Sequence, residues 1–197
     1  MRDHMNVSYR TLVVGCLDPM LSKSELEHTL GIVRRISKEF QDIHLLLAGA
    51  LRKFSSALRR PERRGLRISY AEDESEVRNY LPAVDVCLFP GNLMRIPYSL
   101  MEAQAAGVPC VLSDRIPREA ILSPMSCSLY CHRPAAQWAQ CVLMSAAQPR
   151  SSEQAEWTGQ YDIGRSASWL ERLYWEEGKC GKARFAATDV EEQGNLG

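Results

Sequence analysis

The chain has 197 residues, 45% of them hydrophobic and 24% charged, with Lys plus Arg and Asp plus Glu balanced at 24 each. That length suits one well-buried α/β domain, and the balanced charge gives no overall field that would favour nucleic acid. No apolar run is long enough to span a bilayer, no signal-peptide pattern opens the chain, and the seven cysteines form no CxxC pair, so the expectation is a cytoplasmic protein with reduced thiols.

Residues 1–10 read as a lead. Thr11 to Gly15, TLVVG, predicts an opening parallel strand that turns at Cys16-Leu17-Asp18-Pro19. Ser22 and Glu25 have capping-box spacing, and Leu26, Leu30, Val33, Ile36 and Phe40 recur at helical intervals, which predicts a helix with Lys23 in its first turn. Ile43 to Ala48 reads as a buried strand ended by Gly49. His44 is assigned to that strand, since no sequence partner makes it catalytic. Leu51, Phe54 and Leu58 suggest a short amphipathic helix. The basic run Arg59, Arg60, Arg63, Arg64 and Arg67 can meet phosphates or an anionic membrane surface, which leaves peripheral membrane association open; without interleaved aromatics it reads better as a solvated loop. Leu66 to Tyr70 is the next strand. Glu72, Asp73, Glu74 and Glu76 then load the start of a helix whose apolar side is Val77, Tyr80, Leu81 and Val84.

The segment from Asp85 to Glu119 carries the densest signals. Val86 to Phe89 is an apolar run closed by Pro90 and Gly91; Pro97 suits the first turn of a helix and Gly107 the left-handed residue after it; Val108 to Ser113 reads as another buried strand. Two such strands joined by a helix make a right-handed βαβ crossover, whose ligands lie at the carboxyl ends of the strands, so the loop from Pro90 to Ile96 is the expected mouth of a site. Glu102, a turn into the helix, can reach back and accept hydrogen bonds from a ligand diol. Spacing alone favours a solvated glutamate on the outer face. Further on, Ser128 to Cys131 suggests a strand, Ala135 to Ala147 a helix, and Ile163 to Glu177 a final helix with Ile163, Ala167, Leu170, Leu173 and Tyr174 on one side. Residues 178–197 have the composition of a disordered tail. Cys127 and Cys131, four apart in an extended segment, would sit roughly 13 Å apart, so zinc is not expected at Cys127, Cys131 and His132. The predicted fold is a three-layer αβα, Rossmann-like domain over residues 11–177 with about six parallel strands, Val13, Leu46, Ile68, Leu88 and Val111 lying in its central strands.

Phe89-Pro90-Gly91, Glu102-Ala103-Gln104-Ala105-Ala106-Gly107-Val108-Pro109 and Val111-Leu112-Ser113-Asp114 resemble the donor-nucleotide half of retaining GT-B-fold glycosyltransferases of the family 4 type, particularly those of capsular and extracellular polysaccharide synthesis. Tyr161-Asp162-Ile163 and Leu170 to Tyr174 resemble the ending of that half, so the likeness spans about Thr11 to Tyr174. It implies a single half of a GT-B architecture that binds a nucleotide-diphosphate sugar and needs no metal or other cofactor. Glu102 would take the ribose hydroxyls, Lys23 the diphosphate, and Gly15, Gly49, Pro90, Gly91, Met94, Pro97, Tyr98 and Ser99 would surround the donor. The chain departs from the family in two places: Met94 stands where the first of two glutamates separated by seven residues is expected, and Cys16 where a basic residue follows the glycine. An acceptor-binding half is also not expected within this sequence. Two readings follow, a donor half that works with an acceptor-binding Rossmann-like chain in trans, and a degenerate half serving as a non-catalytic scaffold.

Overall fold

The computed structural model describes residues 1–18, 22–48, 65–71, 77–91, 96–150 and 161–176. It divides into two compact units, Met1–Gln154 and Ala155–Gly197. Gly49, the helix expected around Leu51 to Leu58, the arginines from Arg59 to Arg64, the acidic run from Glu72 to Glu76, Met94 and the tail over 178–197 lie outside the described residues.

In the first unit the chain runs β1 (Leu12–Cys16), α1 (Lys23–Ile36), β2 (Ile43–Ala48), β3 (Arg67–Ala71), α2 (Val77–Tyr80), a 3-10 turn (Leu81–Ala83), β4 (Val86–Phe89), α3 (Tyr98–Ala105), β5 (Cys110–Ser113), a second 3-10 turn (Arg118–Ala120), β6 (Ser126–Leu129) and α4 (Ala135–Ala146). The six strands form one sheet in the order β3-β2-β1-β4-β5-β6, every pairing parallel. The four inner strands LVVGC, IHLLLA, VCLF and CVLS are buried along their whole length, as parallel strands covered on both faces must be. The edge strands β3 and β6 are only partly buried.

Alternation along the strands divides the core in two. On one face α1 and α4 cover Val14, Cys16, Leu45, Leu47, Leu88 and Val111 together with the fully buried Trp138. On the other, Met5 and Val7 of the lead and residues of α2 and α3 cover Val13, Leu46, Cys87, Phe89, Cys110 and Leu112. The lead is tied down by Arg2, whose Nη2 donates to both carboxylate oxygens of Asp85 at 2.7 and 2.8 Å. Asp85 Oδ2 also accepts the Val13 amide at 2.8 Å, so one carboxylate joins the lead, β1 and the start of β4.

Local chemistry sets the element ends. Ser22 caps α1 with the full capping box: its hydroxyl accepts the Glu25 amide, and Glu25 Oε2 accepts the Ser22 amide at 2.7 Å. Gly107 has φ 68°, the left-handed backbone that glycine adopts without a Cβ clash, and so ends α3. Four expectations are corrected. Ile68 lies in the edge strand β3, not a central one, because the sheet grows outward from β1 through β2. Phe40 is beyond α1 and 40% exposed, since the helix stops at Ile36, where the Ser37 hydroxyl donates to the Arg34 carbonyl. The last strand is Ser126–Leu129 rather than Ser128 to Cys131, because a turn from Tyr130 to Arg133 and the bond from the Cys131 amide to Asp114 Oδ1 pull the chain away from the ladder. Pro97 caps α3 from just outside its first turn.

His44, buried in β2, shares a 2.8 Å hydrogen bond with the Ser69 hydroxyl of β3. Burial, helped by Arg67 and opposed by Asp42, lowers its pKa from 6.5 to about 4. Between those values the unfolded chain takes up a proton that the folded chain refuses, so stability falls as the pH falls. The expected loss from pH 7 to pH 4 is roughly 2–3 kcal/mol. Urea unfolding across that range should show it, and His44→Asn should flatten that part of the profile.

The second unit is described only over residues 161–176, where 163–176 form a helix. Ile163, Leu170 and Tyr174 fall on one side as the spacing predicts, and are 85%, 41% and 70% exposed.

Candidate functional site

The sheet reverses direction of growth between β1 and β4, and the crevice beyond the carboxyl ends of those two strands is where doubly wound sheets hold their ligands. Cys16, Leu17 and Asp18 arrive there from β1, and Phe89, Pro90 and Gly91 from β4. The starts of α1 and α3 follow at the same end of the sheet.

The β4–α3 connection supplies the features suited to an anion. Pro97 enters α3 with φ −71° and ψ 129°, and among the described residues no side chain caps the helix. A helix start without a side-chain cap offers first-turn amides and the positive end of the helix dipole. Ser99, in that first turn, is buried and its hydroxyl has no hydrogen-bond partner among the described residues. Pro90, Gly91 and Pro97 are buried, whereas Tyr98 is 88% exposed. Glu102 stands one turn further along, its side chain 36% exposed, with Oε1 3.8 Å from Arg78 Nη2 of α2. A pair so long and so accessible to water contributes little stability, so Glu102 can exchange Arg78 for a ligand at small cost.

On the β1 side the expected donor residues do not converge in the same way. Lys23 is the first residue of α1 and is exposed. Gly15 lies within β1, where a Cβ would meet Val84 Cγ1 at 3.0 Å, so its missing side chain serves the packing of the chain segment before β4. Cys16 is fully buried, with Sγ 3.8 Å from Thr29 Oγ1 of α1, and burial pushes its thiol up to about 12. The residue after the glycine therefore faces the core between β1 and α1. Asp18, 2% exposed at the end of β1, is a buried carboxylate at the crevice that the sequence reading takes only as a turn residue; the Asp-Pro pair is its one local signal.

Among the described residues no three side chains of metal-ligating type come together. A cleft of about 1080 Å³ lies at the far edge of the sheet, between β6 and α4, lined by Tyr130, Arg133, Cys127 and Cys141 among others. It is set two strands away from the reversal point, and topology and chemistry put the candidate site at the crevice rather than at this cleft.

Residues 9–147 match the family model described as glycosyl transferases group 1. No curated protein sequence matches the chain. Among solved structures, it is similar to WaaG, a glycosyltransferase involved in lipopolysaccharide biosynthesis, with TM-score 0.63 and 13% identity over 80% of this chain and 43% of that one. It is also similar to sucrose-phosphate synthase from Thermosynechococcus elongatus, with TM-score 0.57 and 17% identity over 94% and 48% of the two chains. For TarM of S. aureus the TM-score is 0.61, with 12% identity over 84% and 36%. The chain thus spans less than half the length of each of these structures, and at such identities the likeness establishes the fold, an α/β Rossmann-like domain matching a single GT-B half. With its family model matched over most of its length, the chain belongs to the group 1 glycosyl transferases.

Proposed function

We propose that this chain is the donor half of a retaining, family 4-type glycosyltransferase, binding a nucleotide-diphosphate sugar at the crevice between β1 and β4. The observation that carries this reading is the arrangement of α3: a helix start with no side-chain cap, the unpartnered hydroxyl of Ser99 in its first turn, and Glu102 a turn later in a weak pair with Arg78. The diphosphate would take the first-turn amides and the Ser99 hydroxyl, and the ribose diol would donate to the Glu102 carboxylate. Such a site works by position and electrostatics: the nucleotide is anchored, and the diphosphate leaves toward the positive helix end as negative charge develops on it. Pro90, Gly91, Pro97 and Tyr98 would shape the mouth, and Lys23 would stand at its rim. The acceptor would be presented by a Rossmann-like partner in trans. The sugar would pass to a glycan or a similar acceptor.

The direct test is titration calorimetry with uridine diphosphate. Wild-type protein is expected to bind, and Glu102→Ala to weaken binding about 10- to 150-fold, the effect of losing a charge-assisted hydrogen bond. Equal binding by the two proteins would sink the assignment of Glu102. One observation favours the second reading, a non-catalytic scaffold: Cys16 offers the diphosphate no cation and faces the core. A wild-type chain that binds no nucleotide would establish that reading in place of the first.

A further inference from the structure

Away from the crevice, two thiols meet at the edge of the sheet. Cys127 belongs to the edge strand β6 and Cys141 to α4; both are free and half-buried. Cys141 Sγ donates to Cys127 Sγ at 2.6 Å. Their side chains converge from two different elements, so the sulfurs reach each other with little backbone movement. Both line the cleft of about 1080 Å³ between β6 and α4, which gives a small reagent access to the pair without unfolding. Cys16, Cys87 and Cys110, by contrast, are sealed in the sheet interior. Cys131 lies past the end of β6, its amide held by Asp114 Oδ1.

We propose that Cys127 and Cys141 form a reversible disulfide that fastens the edge strand β6 to α4, with a low-molecular-weight disulfide of the glutathione type as oxidant. The Cys127 thiolate attacks one sulfur of the reagent, forming a mixed disulfide and releasing one glutathione thiolate, which takes up the proton Cys127 gave up. Cys141 then loses its proton and attacks the Cys127 sulfur, and the second glutathione leaves and is protonated. The two protein sulfurs lose two electrons together, and the reagent disulfide is reduced to two thiols. Burial pushes the Cys141 thiol up to about 12, with the Cys127 hydrogen bond adding to the effect, which assigns the first attack to Cys127. The product matters because β6 is held by the ladder on one side only, by β5. A bridge to α4 closes a loop of about 15 residues and opposes fraying of that edge.

The full chain is equilibrated with oxidised glutathione, its remaining thiols are blocked, and it is digested with chymotrypsin without reduction. Cleavage after Tyr130 and Trp138 puts Cys127, Cys131 and Cys141 on separate peptides, which trypsin would not do because Arg133 precedes Pro134. The expected result is a linked peptide pair holding Cys127 and Cys141, lost on reduction, with a melting temperature about 5 to 10 °C above that of the reduced protein. Cys131→Ser should keep both the linkage and the shift, and Cys127→Ser or Cys141→Ser should lose both. Should either of those variants not fold, the peptide maps of the wild type and Cys131→Ser decide the matter alone. Absence of the linked pair from oxidised wild-type protein, or a bridge from either residue to Cys131 or Cys180, overturns the proposal.

Discussion

Cys16→Arg, the substitution that would restore the family's basic residue, is expected to unfold the domain rather than improve nucleotide binding. Cys16 is fully buried among the side chains that α1 and α4 bring to the sheet, with Leu26, Leu30 and Trp138 in the same cluster. The carboxylate that acts on the Cys16 thiol is Asp18, itself buried at the crevice end of the strand, and a guanidinium's bulk has no space to fill in the close-packed layer between β1 and α1. Taking the guanidinium out of water costs several kcal/mol even beside a carboxylate, and overpacking adds about 1–3 kcal/mol. A total of at least about 5 kcal/mol consumes most of the stability of an ordinary domain. Circular dichroism and urea unfolding should show little or no folded Cys16→Arg protein, whereas Cys16→Ala should remain folded with a loss of about 1 kcal/mol. A folded Cys16→Arg protein that binds uridine diphosphate more tightly than wild type would mean that the longer side chain leaves the core and reaches the crevice.

That contrast marks the boundary of what the sequence made legible. Ile43–Ala48 and Val86–Phe89 were readable to the residue, because a strand covered on both faces is a continuous apolar run and needs no knowledge of its neighbours. The capping box at Ser22 and the left-handed Gly107 were readable for the same reason, being local chemistry within a few residues. Strand order was less accessible: Ile68 sits between Arg67 and Ser69 in an alternating run that does not by itself give the strand's place in the sheet, and only pairing across the sheet puts β3 at the edge. Of the candidate site, the β4–α3 connection was legible because its punctuation and its glutamate are contiguous. The β1 side was legible only in part, Cys16 beside a buried strand reading as a small core residue. A cysteine after a glycine carries no mark of which layer it faces, and that direction follows from the alternation of β1 once α1 and α4 are in place.

Gln104→Leu is the second change expected to have a large effect, and it concerns a residue whose sequence signature is that of a solvated helix position. Gln104 is fully buried on the inner side of α3. Its Nε2 donates to the Ala120 carbonyl at 2.8 Å, and its Oε1 accepts the Leu122 amide at 2.8 Å, the Ser123 amide at 2.9 Å and the Ser126 hydroxyl at 3.1 Å. One amide side chain therefore satisfies the backbone that carries the chain from β5 to β6, partners 16 to 22 residues away that no helical period could point to. Leucine preserves bulk and removes every one of these bonds. Each buried backbone group left without a partner costs roughly 1–3 kcal/mol, but water can reach the partly exposed Leu122 amide, so the expected sum is roughly 3–5 kcal/mol. Urea denaturation should show that loss, with Gln104→Glu keeping more stability than Gln104→Leu because its carboxylate still accepts from the Leu122 and Ser123 amides. The same bonds hold α3 from its buried side two residues beyond Glu102, so the leucine protein that remains folded should also bind uridine diphosphate more weakly than wild type. A Gln104→Leu protein of full stability would show that the 120–126 segment finds other partners and that the position of α3 does not depend on this side chain.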